Sequence, residues 1–160
     1  MNRKLYQKGI SIVEVVIASA IISLAMISIT NVYGNFLTLS LANTEKVQAV
    51  FLLDEGVEAI KIMRNYSWAS VASSTESTNY YLTWENSRWI STTTPNTIDG
   101  KFIRTFTVAD VYRDPITLNI VNSGGVLNND SKVINFDISW NHKGSISSKQ
   151  ISFFIFNLYE

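Results

Sequence analysis

The sequence predicts an α+β fold in which one long N-terminal α-helix, membrane-spanning in its first half, packs on an antiparallel β-sheet head. Three observations carry this expectation. Residues 9–29 form an apolar run of spanning length whose only charge is Glu14. After it, Val47, Val50, Leu53, Val57, Ile60 and Met63 recur at steps of three and four, the spacing of one helix face. From about residue 80 onward the apolar period changes to two, and turn residues punctuate the chain as they do between strands.

Residues 1–9 are a short leader with Arg3, Lys4 and Lys8 and no acid. Such a segment stays cytoplasmic and sends the C-terminus outward. No charged residue occurs from Val15 through Thr44. Roughly 20 apolar residues at about 1.5 Å each cross the hydrocarbon core, so residues 10–29 span and residues 30–65 continue the helix outside. Glu14 is the anomaly in the span: a carboxylate in hydrocarbon costs about 2.5 to 3.5 kcal/mol on insertion scales, and one that is retained has a partner or a task. No partner lies within the run. A chain break between Gly9 and Ile10 would create one, because the new ammonium at Ile10 stands four residues before Glu14 on the same helix face. Two simpler readings fit less well. An ordinary signal peptide would be cut near Ser40 and Ala42, far beyond the densest apolar run, and neither it nor a plain signal anchor has a use for Glu14.

Lys8-Gly9 followed by Ile10-Ser11-Ile12-Val13-Glu14 resembles the class III leader of type IV pilins and type II secretion pseudopilins. The resemblance implies that a prepilin peptidase cuts after Gly9, that Ile10 is N-methylated by the same enzyme, and that Glu14 is the family's assembly acid. Ile10 departs from the family's commonest residue there, phenylalanine, within the range of hydrophobic substitutes. The family's spine has an inner half that spans the membrane and an outer half that lies on a globular head. Asp54-Glu55-Gly56-Val57-Glu58-Ala59-Ile60 with Arg64-Asn65 also resembles the helix end of minor pilin-like proteins. The helix-bending proline common in major pilins is missing from the anchor, and so is the disulfide that closes many pilin heads, since the chain has no cysteine.

The outer half of the helix carries Glu45, Gln48, Glu55, Glu58 and Lys61 opposite the apolar stripe, with Glu58 and Lys61 at i,i+3. One helix is therefore expected from Ile10 to about Asn65, roughly 80 Å at the standard rise. Gly34 and Gly56 are its soft points, and for Gly56 close packing on the head is preferred to a hinge. Residues 66–160 then form loop and head. Residues 66–79, rich in Ser, Thr and Asn, read as a loop stapled by Trp68 and Val71. Residues 80–84 and 88–91 are short strands, and residues 92–100 are turn chemistry around Pro95, Asn96, Asp99 and Gly100. In residues 102–112, Phe102, Phe106 and Val108 share a face; Asp114-Pro115 breaks the run, and Ile116, Leu118 and Ile120 begin a second alternation. Ser123-Gly124-Gly125 and Asn128-Asn129-Asp130 read as a loose connection. Ile134, Phe136, Ile138 and Trp140 then alternate cleanly, and after Asn141-His142-Lys143-Gly144 the chain returns through residues 150–158 as a hairpin. A sheet with one apolar face needs a cover, which the helix stripe supplies.

The chemistry expected of this chain is assembly. Lys and Arg balance Asp and Glu at 13 each; removal of the leader leaves ten basic residues against thirteen acidic, which argues against nucleic acid as a partner. The sequence predicts no enzyme, no cofactor and no metal: it has no phosphate loop, no His-Glu-x-x-His and no Cys pair. His142 reads as a solvated turn residue. Asn128, Asn129 and Asp130 with Asp137 or Asp99 could hold calcium, as the resemblance implies for some pseudopilin heads, but the calcium-loop spacing is missing and turn residues explain them. Trp68, Trp84, Trp89 and Trp140 are explained by packing rather than as a ligand platform. The resemblance implies a structural subunit, of minor type, of a type IV pilus or pseudopilus. Its partners would be the prepilin peptidase, other pilin or pseudopilin subunits, an inner-membrane assembly platform and, before assembly, the lipid bilayer. Its place would be the cytoplasmic (inner) membrane, single-pass with the C-terminus outside, then a periplasmic or extracellular filament. The alternative is a monomeric membrane-anchored binding module that recognises a ligand through loops between Trp68 and Trp89.

Overall fold

The computed structural model describes Gly9 and residues 11–158. The leader before Gly9, and Ile10 with the cleavage and methylation expected there, lie outside the described residues. The chain divides into two units, Met1–Thr44 and Glu45–Glu160.

Helix α1 is unbroken over Ile12–Tyr66, 55 residues, as a stretch free of proline allows. Glu14 lies in its first turn and Arg64 in its last, each where its sign complements the helix dipole. In the first unit every large apolar side chain of the helix is exposed, from Ile12 to Leu41. In the second unit, helix residues 45–66 cover the inner face of a four-stranded antiparallel sheet. The buried face is Ala49, Leu53, Gly56, Ala59, Ile60 and Met63. This differs from the expected stripe: Val47 and Val50 point outward, 53% and 45% exposed. Small residues decide the rotation, because Ala49, Gly56 and Ala59 let the helix approach the sheet more closely than a ridge of valines would. At Gly56 an added Cβ would lie 2.9 Å from Phe136 Cε1, so this glycine serves close packing.

After the helix, residues 67–79 are a loop that includes a single helical turn, α2 (Ala69–Ala72), whose Val71 is buried in the core. Strands β1 (Tyr81–Glu85) and β2 (Arg88–Thr92) form a hairpin around Asn86 and Ser87, both at positive φ, as a two-residue hairpin turn of matching twist requires. Trp84 and Trp89 pair across it edge to face, 5.4 Å between centroids.

Strands β3 (Phe102–Arg113), β4 (Ile120–Val121), β5 (Val126–His142) and β6 (Ser145–Phe156) make the main sheet in the order β4-β3-β5-β6. Ile134, Phe136, Ile138 and Trp140 alternate into the core and are at most 4% exposed. The β5–β6 hairpin closes at Lys143-Gly144, so β6 begins at Ser145, five residues earlier than expected. Two connections also differ from expectation. Residues 114–119 are a turn instead of the start of an alternating strand. The Asp114 carboxylate accepts the backbone N–H groups of Ile116 and Thr117 at 2.9 and 2.7 Å, and this local bonding displaces a ladder. Residues 128–130 belong to β5, with a register shift opposite Asp110 and Val111 that takes up the extra chain.

Candidate assembly site

Gly9 is exposed, and a Cβ there would meet nothing within 4 Å. Glu14 stands five residues on, exposed, with no hydrogen bond or salt bridge among the described residues. Four hydroxyls of the helix behave otherwise. Ser19, Ser23, Ser28 and Thr30 each donate to a backbone carbonyl three or four residues back, at 2.8–2.9 Å. Those side chains are satisfied within the helix, as a low-dielectric surrounding demands. Glu14 is the one charged group among the described residues of the run, and it has no partner there. Among the described residues one helix, near the N-terminus, is long and apolar enough to cross a membrane. Its greasy surface offers two kinds of neighbour, lipid tails or the apolar helices of other chains.

The second unit grips its part of α1 by two polar fastenings that sequence reasoning missed. Arg104 lies on β3, 3% exposed, between the inward Phe102 and Phe106. Its Nη1 donates to the Leu52 carbonyl of α1 at 2.6 Å, and its Nη2 lies 3.4 Å from Glu55. Burial lowers the Arg104 pKa and the Glu55 carboxylate opposes that shift, which leaves the guanidinium charged in its pocket. The signal was present in the alternation, which points position 104 inward, but a search for apolar positions passes over an arginine.

The other fastening is Glu45, expected on the open face of the helix. Its Oε1 accepts from Lys101 Nζ at 2.6 Å, and its Oε2 lies 2.6 Å from His142 Nδ1 and 3.2 Å from Trp140 Nε1. His142 is therefore no solvated turn residue. It is the last residue of β5, partly buried and bonded to the helix. The Lys101 hydrogen bond, with those of His142, holds the Glu45 carboxyl below its ordinary value of 4.5. A carboxylate with a depressed folded-state pKa stabilises the fold above its unfolded pKa, and that contribution fades as pH falls through the folded value. A Glu45→Gln substitution is expected to lower the melting temperature of the head at neutral pH. The gap from the parent protein should narrow as pH falls through the lowered Glu45 pKa; thermal melts from neutral to acid pH check it, and a gap independent of pH would contradict it.

The remaining candidates are not drawn together. Asp99, Asp130 and Asp137 form no metal-binding group among the described residues; Asp137 accepts a hydrogen bond from Gln150 at 2.9 Å. Of the tryptophans, Trp140 is in the core, Trp68 and Trp89 pack against it, and Trp84 is exposed. Comparison with protein-family profiles, with curated proteins and with solved structures gives no match.

Proposed function

We propose that this chain is a structural subunit, of minor type, of a type IV pilus or a related pseudopilus. It is cut after Gly9, methylated at Ile10 and polymerised through its N-terminal helix. The observation that supports this most is the surface of the helix from Ile12 to Leu41: its large apolar side chains are all exposed, and it carries one unpartnered carboxylate, Glu14. A subunit of this kind waits in the inner membrane with its C-terminus outside. It leaves when neighbouring helices replace lipid around its apolar surface. Glu14 then pairs with the Ile10 ammonium of an adjacent subunit. That bond neutralises a charge that would otherwise be buried alone, and it sets the axial register between helices. Methylation keeps the amine positive, so the pairing survives it.

N-terminal sequencing of the membrane-fraction protein tests the reading. A start at methyl-Ile10 supports it, while a start at Met1 or after Ala42 overturns it in favour of an anchored binding module or a secreted head. Gly9→Val is expected to abolish processing without disturbing the fold, because nothing lies near the Gly9 Cβ position. The product should keep its leader and run as the longer species on a gel. Normal cleavage of that variant would remove the peptidase from the scheme.

A further inference from the structure

We propose that the loop at residues 114–119 of one copy docks into the groove between α1 and β2 of a second copy, Ile116 and Leu118 entering it and Asp114 meeting Arg88. The loop is built to present these side chains. Ile116 is 89% exposed, the most exposed large hydrophobic among the described residues, and Leu118 is 66% exposed. Neither is loosely held. Asp114 caps the Ile116 and Thr117 N–H groups, its own N–H donates to the Asn119 carbonyl at 2.9 Å, and the Leu118 N–H returns to the Asp114 carbonyl at 2.9 Å. Arg113 Nη1 donates to the Leu118 carbonyl at 2.9 Å. Two apolar side chains on a pre-ordered tip lose little freedom on binding.

The same unit carries a receptor of matching chemistry. Ile62, Met63 and Tyr66 of α1 face Trp89 and Ile90 of β2 across a cavity of about 300 Å³, with Arg88 at its edge. Ser67, Ser70 and Ser91 complete its open wall, and since a closed cavity of about 150 Å³ takes up benzene, its volume has room for two aliphatic side chains. The charges match as well. Arg88 lies over the Tyr66 ring at 5.5 Å and makes no salt bridge among the described residues, even with Glu85 opposite it on β1. Asp114 has no cation partner among them either, and the backbone N–H groups of Thr117 and then Ile116 hold its carboxyl below the usual range. An apolar tip beside an uncompensated carboxylate thus fits an apolar groove beside an uncompensated guanidinium.

Tip and groove are different surfaces, so the contact is heterologous: each bound copy keeps one free tip or one free groove, and such contacts propagate as open chains unless they close into rings. This goes beyond assembly through the N-terminal helices, and it requires two copies of the chain side by side.

The absence of cysteine makes the test direct. Full-length Ile116→Cys chains are mixed with full-length Ile62→Cys chains in one membrane and oxidised. Both positions are exposed, so neither change should disturb folding. The 116–62 heterodimer is expected to exceed either homodimer, and a Ser148→Cys control on β6, several-fold. Arg88→Gln should cut that yield several-fold. So should Asp114→Asn, which keeps the capping oxygen but loses the charge, and so should added salt. A dominant 116–116 product, a yield no better than the control, or indifference to both charge variants overturns the proposal. A label at position 116 that reports lipid in place of protein does the same. None of these outcomes touches the N-terminal processing result, so the two readings fail separately.

Discussion

A Gly56→Leu variant is expected to lose the packing of helix on sheet in the second unit and to melt far below the parent protein. A Cβ at position 56 would stand 2.9 Å from Phe136 Cε1, 3.2 Å from its Cζ and 3.2 Å from Arg104 Cδ. None of these neighbours is free to retreat. Phe136 is 1% exposed and wedged between Phe106 and Phe153, with ring centroids at 5.3 and 6.3 Å. Arg104 is tied to the Leu52 carbonyl, one turn before Gly56 on the same helix. Overpacking a filled core costs about 1–3 kcal/mol for added methylenes, and leucine adds a whole side chain, so a loss of about 3 kcal/mol is the expected scale. For a domain of this size that is roughly a 10 °C drop. Gly56→Ala is the instructive contrast. It regains about 1 kcal/mol of helix propensity and sets it against three tight contacts of the Cβ alone, so it should lose less stability than the leucine variant. Near-ultraviolet circular dichroism of the full chain during heating reads both variants. A leucine variant that melts with the parent would mean that the helix is not seated on Phe136.

The same contact marks where sequence reasoning reaches and where it stops. Ile134, Phe136, Ile138 and Trp140 were legible because a strand with one buried face has to alternate, and all four are buried. The spine was legible because no proline interrupts residues 12–66. The rotation of its outer half was not. Val47, Val50 and Phe51 are apolar yet exposed, and the true seam runs through Ala49, Gly56 and Ala59, whose value lies in what they lack. A periodicity of large hydrophobics cannot report a surface chosen for smallness. Glu45 and His142 were hidden for another reason. They are 97 residues apart, and only the folded sheet brings the end of β5 to the helix. The turn after β3 was misread because Ile116, Leu118 and Ile120 alternate as a strand would, while Asp114 claims the backbone N–H groups that a ladder would need. At the N-terminal end, Gly9 and Glu14 stand as isolated positions on an exposed chain. What would join them to Ile10 is the proposed cleavage.

That chemistry gives the second large effect. Glu14→Val is expected to leave membrane insertion intact and to make it easier, by less than the roughly 2.5 to 3.5 kcal/mol of a charge at mid-span, because Glu14 lies in the first turn of the helix. Incorporation into filaments should collapse. In the polymer the variant would leave the neighbour's Ile10 ammonium in an apolar bundle with no counter-charge, and breaking one side of a buried pair costs about 3–5 kcal/mol. At about 1.4 kcal/mol per tenfold, the shift away from incorporation is on the order of a hundredfold or more. Glu14→Gln separates charge from shape: it keeps the length and a hydrogen-bond acceptor, so a defect nearly as deep as that of valine assigns the effect to the ion pair. Processing has to be read in the same samples, because a variant that is never cut fails for want of the Ile10 amine and not for want of the acid. With cleavage normal and the head folded, the amount of variant in sheared filaments relative to membranes is the deciding ratio. If that ratio equals the parent's, Glu14 has no partner in the assembly, and the reason for a carboxylate in this helix lies elsewhere.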